Sequence, residues 1–147
     1  MEQLYEKVSA MNSDYYNLRG QIVSAERRIS ALTKRLEMWA LFQQTKPVRQ
    51  GLDKVKPGRR EQYQQEHESE LASFDAAVRF LNDLKESGEA ITPKAWGAEV
   101  EKLTAQKDLG YQKMRAMRDD LKAVESLRKA AEQLARDGQI QPKEQER

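Results

Sequence analysis

Residues 4–39 read LYEKVSAMNSDYYNLRGQIVSAERRISALTKRLEMW. Leu4, Val8, Met11, Tyr15, Leu18, Ile22, Ala25, Ile29, Leu32, Leu36 and Trp39 recur there at alternating steps of four and three, and the residues between them are almost all polar. A strict 3.5-residue period keeps one apolar stripe turned toward a partner helix, so the stretch predicts a long helix in a left-handed coiled coil. Gly20 costs about 1 kcal/mol against Ala inside a helix. The stripe nevertheless passes it without a change of phase, and the helix is expected to run unbroken from about residue 2 to about residue 45. Trp39, Leu41 and Phe42 widen the stripe near its end, which predicts more than one partner helix at that point.

Outward from this helix, Pro47 disfavours helical geometry at Lys46, and Pro57-Gly58 marks a second break. Val48, Leu52 and Val55 between them suggest a short helix. Tyr63, His67, Leu71, Phe74, Ala77, Val78, Leu81 and Leu84 then fit a helix from about Arg59 to about Lys85, closed by Ser87-Gly88. Thr92-Pro93 is a start signal, with Thr92 at the N-cap and Pro93 at the first helical position. The helix it opens is expected to end near Asp137, ahead of Gly138 and Pro142, with residues 138–147 a frayed tail. Its stripe reads Trp96, Val100, Leu103, Lys107, Gly110 or Tyr111, Met114, Met117, Leu121, Val124, Leu127, Ala131 and Leu134. Lys107 and Gly110 interrupt it, and either fix register or mark loose packing.

Two stripes of roughly 45 residues each, about 65 Å of helix, bury one another when paired antiparallel. The sequence thus predicts an all-α single domain over 1–137: a long antiparallel helical hairpin, a coiled coil with residues 46–92 as a small helical insertion at its tip. A three-helix bundle is the alternative. Composition agrees, with 38% hydrophobic and 34% charged residues in 147 and a mean hydropathy of -0.92. The absence of cysteine excludes a disulfide scaffold and fits a reducing cytoplasm. No run approaches the roughly 20 apolar residues of a membrane span, and the first residues lack a signal-peptide core. The helical pattern begins at Met1 itself, as it would in a piece of a longer protein.

Few residues point to chemistry. His67 is the single histidine, too little for a transition-metal site, and its spacing from Tyr63, Leu71 and Phe74 points to packing or hydrogen bonding. Tyr5, Tyr15, Tyr16, Tyr63 and Tyr111 would need a held metal to attack a phosphate, and no histidine set supplies one. Glu66, Glu68, Glu70 and Asp75 read as a solvated helix face. The seven glycines are dispersed, so no phosphate-binding loop can be built, and no cofactor is expected.

One asymmetry stands out although the whole chain carries only +2. Lys46, Arg49, Lys54, Lys56, Arg59 and Arg60 face Asp53 alone, a local charge of +5 at the expected tip. Such a patch can neutralise DNA phosphates and release counterions, giving sequence-independent, salt-sensitive binding; the plain alternative is a solvated interhelical break.

Lys46-Pro47 after the long helix, Val55-Lys56-Pro57 before a basic pair, the His67…Glu70-Leu71 spacing, Asp75-Ala76-Ala77 and Ile91-Thr92-Pro93-Lys94-Ala95-Trp96 occur in an order that resembles the C-terminal helical region of MobA/MobL-family relaxases, the plasmid and transposon mobilisation proteins of bacteria. The resemblance spans about residues 15–135. It implies a parent enzyme that nicks one strand at a plasmid transfer origin through a tyrosine and a histidine-bound metal, in a domain N-terminal of this region. None of that histidine motif stands here, so no catalytic residue is carried over. The resemblance implies a non-catalytic accessory role: contact with double-stranded DNA at the origin, docking on relaxosome or secretion-system proteins, or self-association, as a monomer or homodimer. A coiled-coil interaction scaffold without DNA binding is the alternative.

Overall fold

The computed structural model describes residues 2–145, with side chains described for residues 2–138. Its elements are α1 (Glu2–Lys54), a 3-10 turn (Pro57–Arg59), α2 (Arg60–Glu66), α3 (Glu68–Glu86) and α4 (Pro93–Gln145). The fold is all-α, and no strand occurs among the described residues. None of the described helices is long and apolar enough to cross a membrane. Contacts divide the chain into two units, one made of residues 1–26 with 105–147 and the other of residues 27–104.

In residues 27–104, α1, α3 and α4 each place one residue at the centre of a common core: Leu32, Leu81 and Trp96, all buried. Leu36, Trp39, Phe42, Phe80, Leu84, Ile91, Val100 and Leu103 pack around them. Burying one such side chain contributes about 1.5–3 kcal/mol. The rings of Trp39, Phe42 and Phe74 form a stack with successive centroids 5.6 Å apart. The widening of the stripe at Trp39–Phe42 therefore does mark a second partner, and that partner is α3. Here α3 joins α1 and α4, and the three helices share one core.

In residues 1–26 with 105–147, only α1 and α4 meet. They run antiparallel, with Ile22 packed on Gly110 and Tyr15 beside Arg118. Every stripe residue of α1 from Leu4 to Trp39 is buried or half-buried. On α4 the stripe holds through Gly110 and Met114 to Val124 and then departs from expectation. Leu127 and Leu134 are exposed, and Arg128 is half-buried instead. The physical reason is phase: continuing the four–three alternation from Leu121 and Val124 leads to Arg128 and Ala131, which leaves Leu127 one residue off the seam. Gly110, not Tyr111, is the inward residue. A Cβ at 110 would lie 2.8 Å from Cγ1 of Ile22, so the missing side chain is what lets the helices close. Beside it, Lys107 and Gly110 line a small cleft of about 80 Å³.

Helix boundaries differ from expectation in three places. α1 does not stop near residue 45; it continues through Pro47 to Lys54, absorbing the short helix expected at 48–55. A helical proline removes one hydrogen bond and crowds the preceding turn. Gln43, whose carbonyl loses its N–H partner, is exposed to water. The Thr45 hydroxyl donates to the Leu41 carbonyl at 2.7 Å, and beyond the proline the Tyr63 hydroxyl donates to the Val48 carbonyl at 2.6 Å. These bonds and the packing of Tyr63 hold the turns that Pro47 weakens. Second, the helix expected from Arg59 to Lys85 is broken at His67, whose backbone sits at φ -116 and ψ 24 between α2 and α3. Third, α4 passes Gly138 and Pro142 to Gln145. Gly138 does not adopt the left-handed conformation that ends helices, which among the described residues only Gly88 takes, at φ 89.

Gly88 closes α3 as anticipated. The Glu89 N–H donates to the Leu84 carbonyl and the Gly88 N–H to the Lys85 carbonyl, both at 3.0 Å. That double closure is the Schellman arrangement, which requires a positive φ at the residue glycine occupies. α4 opens at Pro93, and the Trp96 N–H donates to the Thr92 carbonyl at 3.0 Å. The start signal thereby delivers Trp96 into the core one turn later.

Candidate nucleic-acid interface

The six cations singled out by sequence all lie in the unit of residues 27–104, on the last turns of α1 and in the turn to α2. Their positions follow from the passage through Pro47. Because α1 continues, Lys46, Arg49 and Lys54 stand on one helix. At about 100° of rotation per residue, Arg49 and Lys54 fall to either side of Lys46. Lys54 occupies the last turn, where a cation complements the partial negative charge of the helix C-terminus. Lys56, Arg59 and Arg60 follow through the 3-10 turn and are exposed.

What holds this end in place is Tyr63. Its ring lies against Gly51, where any Cβ would collide with the phenol, and its hydroxyl bonds to Val48. α2 is thus clamped to the end of α1. Val55, Arg59, Gln62, Tyr63 and Glu66 line an open cleft of about 260 Å³ at the junction. The cations differ in how free they are. Arg49 is committed to Asp53, Nη1 to Oδ1 at 2.8 Å one helical turn away. The Lys46 ammonium lies 5.8 Å from the centroid of the Phe42 ring. Among the described residues, Lys54, Lys56, Arg59 and Arg60 have no carboxylate within ion-pair distance. Glu61 and Glu66 on α2 temper the local charge, a feature that the window of residues 46–60 does not include.

The remaining singled-out residues take structural roles. The His67 ring lies 4.3 Å from the Tyr63 ring, and its Nδ1 is 3.3 Å from Glu70 Oε1. Glu66, Glu68, Glu70 and Asp75 are exposed, as a solvated face should be. Among the described residues, no group of three or more His, Cys, Asp or Glu side chains is placed to hold a metal ion. Tyr15 and Tyr63 are half-buried, whereas Tyr5 and Tyr16 are 68% and 62% exposed.

Sequence reading missed the ion pairs that cross between helices. Arg28 meets Glu99 through two bonds, Nε to Oε1 and Nη2 to Oε2, each 3.1 Å. The hydrogen bond to Glu99 raises the Arg28 pKa above its ordinary value. Arg35 lies over the Trp96 ring at 5.7 Å, with Nη1 3.5 Å from Glu89 Oε2, within ion-pair distance but outside hydrogen-bond geometry. These partners are 71 and 54 residues apart, and no local pattern announces them.

No family model, no curated protein and no solved structure matches this chain.

Proposed function

We propose that this chain is a non-catalytic accessory module of a DNA-mobilising relaxase of the MobA/MobL kind, contacting duplex DNA at a transfer origin through Lys46, Arg49, Lys54, Lys56, Arg59 and Arg60. The observation that carries the reading is the run of four cations without carboxylate partners among the described residues, Lys54, Lys56, Arg59 and Arg60, on a turn clamped by Tyr63. Such cations have little to lose on meeting phosphates, and a rigid turn presents them without a large ordering cost. Arg49 contributes least, because Asp53 must be displaced first. Strand nicking belongs, in this reading, to another part of the parent protein.

The test is fluorescence anisotropy of the chain with a labelled random duplex at about 50 and about 200 mM salt. Binding should weaken steeply with salt, and Arg59→Glu with Arg60→Glu should reduce the log–log salt slope by roughly two. A double variant that binds duplex as before removes the assignment.

A second reading, a protein-interaction scaffold, is favoured by a different observation. Leu109, Leu127 and Leu134 on α4 are 56%, 61% and 71% exposed. Their spacing of 18 and 7 residues places them on one line of the helix. Under this reading the charge-reversed variant keeps its partner or its dimer, and sedimentation of the chain separates monomer from homodimer.

A further inference from the structure

Away from the tip, in the unit of residues 1–26 with 105–147, the antiparallel register gathers cations that are distant in sequence. Arg115, Arg118 and Lys122 are three and four residues apart and share one face of α4. Arg118 Nη2 lies 3.5 Å from the Tyr15 hydroxyl on α1. With Ile22 opposite Gly110 and Tyr15 opposite Arg118, Arg19 falls opposite residues 113–114, on the same side as Tyr15 and Tyr16 by its spacing of four and three. Among the described residues none of Arg19, Arg115, Arg118 and Lys122 has a carboxylate within ion-pair distance. Of the acidic residues of this part of α4, Asp119 lies four residues from Arg115 and three from Lys122, at the edge of the same face and about 100° from Arg118, so it offsets part of this charge, whereas Asp120 falls on another side of the helix.

Tyr16 completes the patch. Its ring stands edge-on to Tyr15 at 5.6 Å, so one aromatic edge is supported, and the residue is 62% exposed. An exposed ring three residues from Arg19 and against Tyr15, whose hydroxyl meets Arg118, offers a stacking surface next to a phosphate track. Duplex DNA keeps its base faces stacked inside and cannot use that ring. A membrane surface would want aliphatic side chains among the cations, and Leu109, Leu127 and Leu134 lie about 100° or more around α4 from Lys122 and Arg118. We propose that Arg19, Arg115, Arg118, Lys122 and Tyr16 form a binding face for single-stranded nucleic acid. The three α4 cations span about 10 Å, so the face covers a few nucleotides. It goes beyond the duplex contact assigned to the tip, and uses none of its residues.

The experiment is anisotropy of the full chain at about 50 mM salt with a labelled twelve-residue oligothymidylate and, separately, a labelled duplex. The variants are Arg115→Glu with Arg118→Glu, Tyr16→Ala, and the tip variant Arg59→Glu with Arg60→Glu, each checked for helicity. Oligothymidylate affinity should fall at least tenfold in the first and about fivefold or more in the second, since one stacked base contributes about 1–3 kcal/mol. The tip variant should keep most of it. Unchanged oligothymidylate binding in the first variant overturns the face. So does binding that polyglutamate competes away equally well and that Tyr16→Ala leaves untouched, because charge alone then explains it. If instead the tip variant loses duplex while every variant keeps its oligothymidylate affinity, the tip reading stands and this face falls; if the first variant loses oligothymidylate while the tip variant keeps duplex, the face stands and the tip reading falls.

Discussion

Leu32 and Trp96, in residues 27–104, are 0% and 4% exposed, whereas on α4 in the other unit Met114 keeps 8% and Leu127 61%. All the large hydrophobic side chains exposed among the described residues, from Tyr5 to Leu134, belong to residues 1–26 with 105–147. Both units use the same two helices and similar heptad stripes. They differ in that α3 joins the core of one and, among the described residues, no third helix joins the other. A two-helix seam covers one narrow stripe per helix and leaves most of the circumference in water; a third helix turns the stripe into a core. The consequence for function is a division of labour. The three-helix unit can hold the tip turn rigidly, and the two-helix unit has a broad exposed surface to offer.

The most severe test of this contrast is truncation at matched seam positions. Trp96→Ala removes the ring around which Leu32, Leu81 and Val100 pack, and should cost about 3–5 kcal/mol. Met114→Ala, on a seam with water to either side, should cost about 2 kcal/mol, because the space it vacates is easily filled. Urea unfolding followed by circular dichroism reads both, and in the first variant Trp39 remains as a fluorescent reporter within the same unit. Equal costs would mean that the two-helix seam is as well packed as the three-helix core, and the contrast would be lost.

Two glycines sharpen the comparison within the weaker unit. At Gly20 an added methyl would have nothing within 4 Å, so Gly20→Ala should stabilise by about 1 kcal/mol through helix propensity. The same gain is available at Gly110, but there the new Cβ meets Ile22 at 2.8 Å. Overpacking costs about 1–3 kcal/mol, so Gly110→Ala should come out neutral to destabilising. The difference between the two midpoints in urea is the quantity to measure. If Gly110→Ala stabilises as much as Gly20→Ala, the seam is loose enough to move aside, and close approach is not what glycine provides there.

Local signals are legible in this sequence and distant ones are not. The heptad from Leu4 to Trp39, the stop at Ser87-Gly88 and the start at Thr92-Pro93 act over a few residues and can be read directly. Pro47 reads as a helix end because what carries α1 past it, the Tyr63 hydroxyl on Val48, comes from 15 residues away. Leu127 reads as a seam residue because its apolar character outweighs its phase. At the tip, the charge is visible as composition, and the Arg49–Asp53 pair is visible as an i,i+4 spacing. The clamp through Gly51 is not. The second basic face is hidden for a stronger reason: Tyr15 and Arg118 are separated by 103 residues and meet only through the antiparallel register.

The smallest expected effect concerns the only cross-helix bond of a tyrosine to a carboxylate found among the described residues. The Tyr111 hydroxyl donates to Glu26, and this bond holds the phenol pKa above its ordinary value of 10.0. A group whose pKa is raised on folding contributes its stability fully below the unfolded value. That contribution is lost as pH rises through the folded value, when phenolate and carboxylate repel one another. The bond is therefore intact at neutral pH and fails only above about pH 10. Absorbance titration near 295 nm should show the last part of the tyrosine ionisation disappear in Tyr111→Phe and move to lower pH in Glu26→Gln, which keeps an acceptor but removes the charge. Because the hydroxyl is exposed, the stability change at neutral pH should be small. It would nevertheless report whether the two-helix seam holds its register beside Gly110. A titration curve unchanged by either substitution would mean that α1 and α4 do not keep Glu26 and Tyr111 together in solution, and that this part of the seam slides.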